Sequence, residues 1–150
     1  MSTPPKITFS ACQKPLTNQD LDEVEKNLGF LLPLELKHHY LQFNGGVPEK
    51  AYWLIDEELY FEVANFKSIK YGDDEFSTIE DTYLRQTKEG VINNNFLPFA
   101  IDWGGNYFCI DLTTHEIVIY FMDTDKNQIR VLEKGFKKFV NGLVQYDEDD

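Results

Sequence analysis

The chain has 150 residues, of which 42% are hydrophobic and 15% aromatic, enough to bury one continuous core as a single domain without metal or disulfide links. Its formal net charge of −12 repels phosphate backbones and anionic membranes, so nucleic acid and membrane surfaces are excluded as main partners. No charged leader precedes an apolar segment and no apolar run is long enough to cross a bilayer, so we expect a cytoplasmic protein.

The beginning of the chain predicts a lead-in followed by a helix. Residues 1–15 hold three prolines and no clear period, and we expect an extended segment there, before one domain over residues 16–144. Thr17 with Asp20 three positions later is a typical helix start, because each side chain can accept a hydrogen bond from the other's backbone amide. Gly29 is expected to end this first helix.

Pro33 predicts the start of a second helix, since its fixed φ suits the first helical position. Apolar side chains return on one stripe of this helix, which indicates that one face is turned to a core. Asn44, Gly45 and Gly46 are expected to end the helix, because these residue types adopt left-handed backbone conformations at low cost.

The middle of the chain favours strands. Over residues 51–66, aromatic and β-branched residues alternate with acids, which is typical of a strand. A short helix capped by Ser77 or Thr78 precedes three apolar strands, FLPFAID, NYFCIDL and EIVIYFMD, and Pro98 lies in the first of them. A last amphipathic helix is predicted in VLEKGFKKFVNGL, and residues 145–150 are expected to form an acidic tail.

The order of these elements decides the fold class. Helices come first and last, with consecutive strands between them, so helices and strands do not alternate as they do in parallel α/β proteins. We therefore predict an α+β fold, in which an antiparallel β-sheet packs against N-terminal and C-terminal helices.

The stretch IDWGGNYFCIDL raises the question of a ligand-binding loop. A phosphate-binding loop needs a helix after its glycines, but Gly104 and Gly105 are followed by a strand. A nucleophile elbow needs Ser or Cys in the turn, whereas this turn offers Asp102, Trp103 and Asn106. We therefore predict a tight hairpin, with the glycines at positive φ and Asp102 and Asn106 within the turn.

No metal site, cofactor or catalytic residue is predicted. Residues 123–134 match a calcium-binding loop at three positions, but Gln128 and Lys134 stand where its glycine and glutamate belong, which favours a plain turn between a strand and a helix. His38 and His39 diverge by about 100° on a helix and do not share a metal easily. A hydrolase that uses two carboxylates stays open as an alternative, because only spatial distances decide it.

The acidic residues have two interpretations, a solvated surface or a face that binds a basic protein partner. Most of them lie beyond residue 50. The candidate partner-binding residues are two acidic triplets and one pair in the hairpin turn: Asp56, Glu57, Glu58, Asp73, Asp74, Glu75, Asp102 and Trp103. We expect the last pair to be presented to a partner, because the predicted turn carries an aromatic side chain beside a carboxylate.

The order of these motifs resembles that of the SUKH superfamily over about residues 16 to 144. The resemblance is carried by the runs LTNQDLDEVEKNLGFLLPLELKHHYLQFNGGVPEK, FLPFAIDWGGNYFCIDL, EIVIYFMDTD and FKKFVNGL. Its structural motif positions in this chain are Glu25, Pro33, Asn44, Gly45, Gly46, Pro98, Gly104, Gly105 and Asn106.

The resemblance implies an α+β fold and a non-enzymatic protein that binds other proteins. Bacterial members are commonly immunity proteins that neutralise secreted toxins, many of them nucleases, by direct binding, whereas fungal members regulate glucan synthesis and signalling. We expect an immunity protein for a basic toxin domain, acting as a monomer or weak dimer. The alternative is a regulatory scaffold or small-ligand module in cell-wall or signalling control.

Overall fold

The computed structural model describes residues 7–73, 77–122 and 129–145. These ranges contain four helices, α1 (Asn18–Leu28), α2 (Leu34–Gln42), α3 (Ile79–Lys88) and α4 (Phe136–Gly142). They also contain nine strands, β1 (Phe9–Ser10), β2 (Val47–Pro48), β3 (Tyr52–Leu54), β4 (Tyr60–Glu62), β5 (Asn65–Phe66), β6 (Phe96–Ile101), β7 (Tyr107–Asp111), β8 (Ile117–Tyr120) and β9 (Ile129–Glu133). The predicted α+β class is confirmed.

Strands β5 to β9 form an antiparallel sheet in which each strand pairs with the next along the chain. In its middle, Phe108 of β7 pairs with Ala100 of β6 and with Ile119 of β8. The register of β6 shifts between Pro98 and Ala100, as at a β-bulge. Strands β1 and β2 form a separate antiparallel pair, and β3 and β4 form a hairpin.

Helix α1 begins and ends as predicted. Thr17 Oγ1 accepts a hydrogen bond from the Asp20 amide at 3.1 Å, and the Asp20 carboxylate accepts one from the Thr17 amide at 3.0 Å. Gly29 ends the helix at φ +85°, a left-handed conformation that glycine adopts without steric cost. Of the two predicted caps of α3, Thr78 rather than Ser77 supplies the capping oxygen.

The corner between α1 and α2 is closed by a buried acid. Glu25 Oε2 accepts a hydrogen bond from the Leu32 amide at 2.6 Å and pairs with Lys37 Nζ at 3.2 Å. Pro33, predicted as the first residue of α2, is its N-cap, and the helix begins one position later at Leu34. The acid at this motif position therefore holds the two helices together.

The end of α2 explains the Asn-Gly-Gly motif. Asn44 is buried; its Nδ2 donates to the carbonyl oxygens of Lys14 at 2.9 Å and Ile69 at 3.0 Å, and its Oδ1 accepts from the Ile69 amide at 2.7 Å. Gly45 and Gly46 have φ values of +76° and +105°. The motif thus ties three segments of the chain together where the backbone turns sharply.

The helices cover one face of the sheet. Between them lies an aromatic-rich core in which Tyr40, Phe99, Phe108 and Phe136 are essentially inaccessible to solvent. The rings of Phe99 and Phe136 meet edge to face with centroids 5.1 Å apart, an arrangement that aromatic pairs prefer. A second cluster lies on the other face of the sheet: Ile92, Phe96, Cys109, Val118 and Tyr120.

Strand β9 corrects the prediction for the last part of the chain. The periodicity predicts one helix over VLEKGFKKFVNGL, but Ile129–Glu133 pair with β8 as a strand and α4 begins only at Phe136. The reason is tertiary, because a free β8 edge offers this segment hydrogen-bonding partners that propensity does not reveal. The first half of the candidate calcium-binding loop, residues 123–128, lies outside the described residues, as does most of the acidic tail, residues 146–150.

Candidate protein-binding surface

The hairpin of β3 and β4 is anchored to the core by one of its faces. Trp53 and Phe61 pair across the two strands. Trp53 stacks on Phe139 of α4 with ring centroids 5.1 Å apart, and Phe61 contacts the Phe121 ring at 5.9 Å. The hairpin is therefore fixed both to α4 and to the end of β8.

The other face of this hairpin points outward and is unusually apolar. Leu54 and Tyr60 pair across the strands and, because side chains alternate along a strand, lie opposite to Trp53 and Phe61. Leu54 is 49% exposed, Tyr60 41%, and Leu59 in the connecting turn 37%. Grouped exposed apolar side chains of this size often mark an interaction surface.

The acids of this turn have two different roles. Asp56 Oδ1 accepts hydrogen bonds from the amides of Glu58 at 2.8 Å and Leu59 at 2.9 Å. These bonds hold the pKa of the Asp56 carboxyl below its usual range. The side chains of Glu57 and Glu58 are exposed. The structure therefore groups all three predicted acids at one tip, and the Asp56 carboxylate builds the turn.

The β6–β7 turn uses its aspartate in the same way. Asp102 Oδ1 accepts from the amides of Gly104 at 2.9 Å and Asn106 at 2.8 Å, and Oδ2 accepts from Asn106 Nδ2 at 2.9 Å. Gly105 has φ +89°, as predicted, whereas the prediction of a positive φ for Gly104 is wrong. Trp103 is 75% exposed. Of the predicted pair, the tryptophan is the residue free to contact a partner.

The hairpin and the β6–β7 turn lie at the same end of the sheet. Phe61 of the hairpin contacts Phe121 just after β8. The following residue, Met122, donates its amide to Asn106 Oδ1 in the β6–β7 turn at 2.9 Å. Trp103 therefore belongs to the same end of the molecule as the β3–β4 hairpin.

Asp73, the one described member of the second acidic triplet, is not part of this end. Strand β5 begins there, where Asn65 pairs with Ile101, and runs away from it toward Asp73. The Asp73 carboxylate accepts a hydrogen bond from Gln13 Nε2 at 3.1 Å. The other two members, Asp74 and Glu75, lie outside the described residues.

Two acids of α1 are paired with one lysine. Lys70 Nζ lies 2.7 Å from Asp20 Oδ1 and 2.8 Å from Glu23 Oε2. The hydrogen bond from Lys70 lowers the pKa of the Asp20 carboxyl to about 2. The charges of Asp20 and Glu23 are therefore partly offset within the protein, unlike those of Glu57 and Glu58, for which no ion pair is found among the described residues.

One carboxyl has a raised pKa, as an acid catalyst would require. Burial raises the pKa of Glu80. Its Oε2 accepts a hydrogen bond from the Lys70 amide at 2.7 Å, and its Oε1 is buried with no hydrogen-bond partner among the described residues. These contacts hold the loop between β5 and α3, where Lys70 has φ +64°, so we assign this carboxyl a structural role.

The described residues offer neither a metal-binding cluster nor a membrane-spanning helix. Within them, His, Cys, Asp and Glu side chains form no group of three that could hold a metal ion. Within them, too, no helix has the length and apolar character needed to span a bilayer.

The sequence did not predict the outward apolar residues of this surface, Leu54, Leu59 and Tyr60. A signal was present, because YWL and LYF place large apolar residues at consecutive positions, whereas a strand with one face in water alternates apolar and polar residues.

Comparison with known proteins adds the family. No curated protein matches the chain. The family model described as SMI1 / KNR4 family (SUKH-1) matches residues 15–142, which is most of the chain and includes all four helices and the five-stranded sheet. The chain belongs to the SMI1 / KNR4 family (SUKH-1).

Proposed function

We propose that this protein is a non-enzymatic binding module, an immunity protein that neutralises a basic, nuclease-type toxin domain by direct contact in the cytoplasm. Family membership supports this class of role, because immunity proteins and cell-wall regulators both belong to the SUKH superfamily. The observation that carries the proposal is the β3–β4 tip, where Glu57 and Glu58 are exposed beside apolar side chains.

The inhibition works by occupying the toxin's substrate site. A nuclease binds phosphates through Lys and Arg side chains. Two adjacent carboxylates on a fixed turn, Glu57 and Glu58, present negative charge in the same way, and the net charge of −12 draws a cationic domain toward them. Association is then fast at low salt and slows as ions screen the charges.

The experiment uses this protein and the toxin domain encoded by the neighbouring gene. Binding and toxin activity are measured together at about 0.05 M and about 0.3 M salt. We expect a one-to-one complex with loss of toxin activity, and an association rate at least about 10-fold lower at the higher salt.

Absence of binding would contradict the proposal. If the toxin domain is not bound and its activity is unchanged, the immunity role is wrong. Capture of a purified cell-wall enzyme or signalling protein under the same conditions would then support the regulatory scaffold role.

A further inference from the structure

The outward face of the β3–β4 hairpin combines apolar area with exposed acidic side chains, and the positive charge of Arg130 in β9 also acts on the Asp56 carboxylate. Residues 52–62 contain four acids and no Lys or Arg. Leu54 and Leu59 are 49% and 37% exposed. Large aliphatic side chains that stay in water contribute little to the stability of the fold. Their burial by a partner would therefore add a favourable hydrophobic free energy to binding.

This surface is held in place before any partner arrives. Tyr52 exchanges two backbone hydrogen bonds with Val144, at 3.0 and 2.9 Å. The indole of Trp53 lies so close to Gly142 that a Cβ on this glycine would be 2.6 Å from Cζ3. A preorganised surface loses less conformational entropy on binding than a flexible loop does.

The exposed leucines at the α1–α2 corner offer a second apolar surface, but they lack an acidic cluster that would select a cationic partner. Leu31 lies in the α1–α2 corner and is 78% exposed, and Leu34, the first residue of α2, is 62% exposed. Their neighbourhood holds the internal ion pair of Lys37 with Glu25, and Glu35 binds the Lys137 amide at the start of α4. Charges of both signs are therefore present there, and they favour neither a cationic nor an anionic partner.

We propose that the tip of the β3–β4 hairpin is the docking surface for the toxin domain, with Leu54 and Leu59 as apolar anchors and Glu57 and Glu58 as the steering charges. This inference rests on the proposed function. The surface fits a cationic face on which an apolar side chain is surrounded by Lys or Arg. Such a face would cover the leucines while its cations meet the two glutamates.

The two kinds of residue act on different rate constants. Exposed charges accelerate encounter and are screened by salt, so they act mainly on association. Apolar anchors at the centre of an interface slow escape, so they act mainly on dissociation. Acids outside the interface would leave the dissociation rate unchanged and would act on association only through the net charge.

The test measures both rate constants with the toxin domain encoded by the neighbouring gene as the probe. The first variant combines Leu54→Ala with Leu59→Ala, and the second combines Glu57→Lys with Glu58→Lys. Matched controls are Leu31→Ala, an exposed leucine elsewhere, and Glu89→Lys, an exposed acid after α3. Thermal melts of each variant establish that it is folded.

We expect the leucine variant to dissociate about 10-fold faster or more, with an association rate within about 3-fold of wild type. The charge variant should associate about 10-fold slower at low salt, a difference that shrinks at high salt. Both controls should stay within about 2-fold of wild type. If Leu54→Ala lowers the melting temperature, Leu54→Thr, which retains strand propensity, gives the same comparison.

The failures of the two proposals can be told apart. Wild-type protein that binds the toxin while both hairpin variants bind equally well overturns the docking surface and leaves the immunity role intact. Wild-type protein that does not bind the toxin overturns both.

Discussion

At the scale of single residues, three aspartates direct their carboxylates into turns. Asp56, Asp102 and Asp111 each accept hydrogen bonds from backbone amides that follow them in the chain. Each such bond satisfies a donor that the tight turn would leave without a partner in the backbone. Part of the strong acidity of this protein is therefore structural, and that part is not available to a partner.

Substitution of Asp102 and substitution of Trp103 should have different effects on the free energy of unfolding. Asp102→Ala removes the acceptor of three hydrogen bonds, and we expect the free energy of unfolding to fall by about 1–3 kcal/mol. Trp103→Ala removes a side chain that is 75% exposed and should change it by less than about 0.5 kcal/mol. Urea titration measures both. Equal stability of the Asp102→Ala variant and wild type would refute the structural role.

His39 gives the protein a pH dependence. The ring lies among those of Phe9, Phe43 and Phe136, and burial lowers its pKa from 6.5 to about 4. Because the unfolded chain takes up this proton at a higher pH, stability is full above 6.5 and is lost as the pH falls toward 4.

His39→Phe keeps an aromatic ring and removes this titration. Between pH 6.5 and about pH 5, wild type should lose on the order of 2 kcal/mol more of unfolding free energy than the variant. Denaturant titration at the two pH values measures the difference. His38→Phe, an exposed neighbour, is the control and should keep the wild-type slope; an unchanged slope in His39→Phe would contradict the assignment.

At the scale of elements, the turn after α2 depends on a glycine for two reasons. Gly46 has φ +105°, and a Cβ there would overlap the Ser10 carbonyl oxygen and lie 3.1 Å from Cys12 Sγ. Gly90 also has positive φ, +74°, but open space around it. Substitution of Gly90 therefore tests backbone strain alone, whereas substitution of Gly46 tests backbone strain together with steric overlap.

We expect Gly90→Ala to lower the unfolding free energy by about 1 kcal/mol, from left-handed backbone strain alone. Gly46→Ala should cost at least about 2 kcal/mol more, because β1 must move as well. Melting temperatures and denaturant midpoints report the difference. Equal costs for the two substitutions would show that β1 yields freely at this position.

Local signals predicted those elements whose cause is local. The capping box of Thr17 and Asp20, the glycine at the end of α1 and the turn around Gly105 depend on residues a few positions apart. Strand β9 was missed because its partner is β8, not its own sequence neighbours. The outward face of the β3–β4 hairpin was missed for a related reason, since only tertiary packing decides that Trp53 is covered and Leu54 is not.

At the scale of the whole molecule, net charge alone does not define a binding face. The −12 charge includes carboxylates that build turns, such as Asp102, and carboxylates paired with Lys70. Glu57 and Glu58 are exposed on a rigid hairpin, at the end of the sheet that also presents Trp103. This end of the molecule therefore combines exposed acidic side chains, apolar area and a fixed backbone, which is the combination that a protein interface needs.

Docking through the β3–β4 hairpin is tested most directly by amide hydrogen exchange. The exchange is measured on the protein alone and in complex with the toxin domain encoded by the neighbouring gene. If the tip of the hairpin is the docking surface, we expect slower exchange on binding at the amides of residues 55–60 and around Trp103, with no change at the α1–α2 corner near Leu31. Protection at that corner or around Asp73, with unchanged exchange in the hairpin, would contradict it.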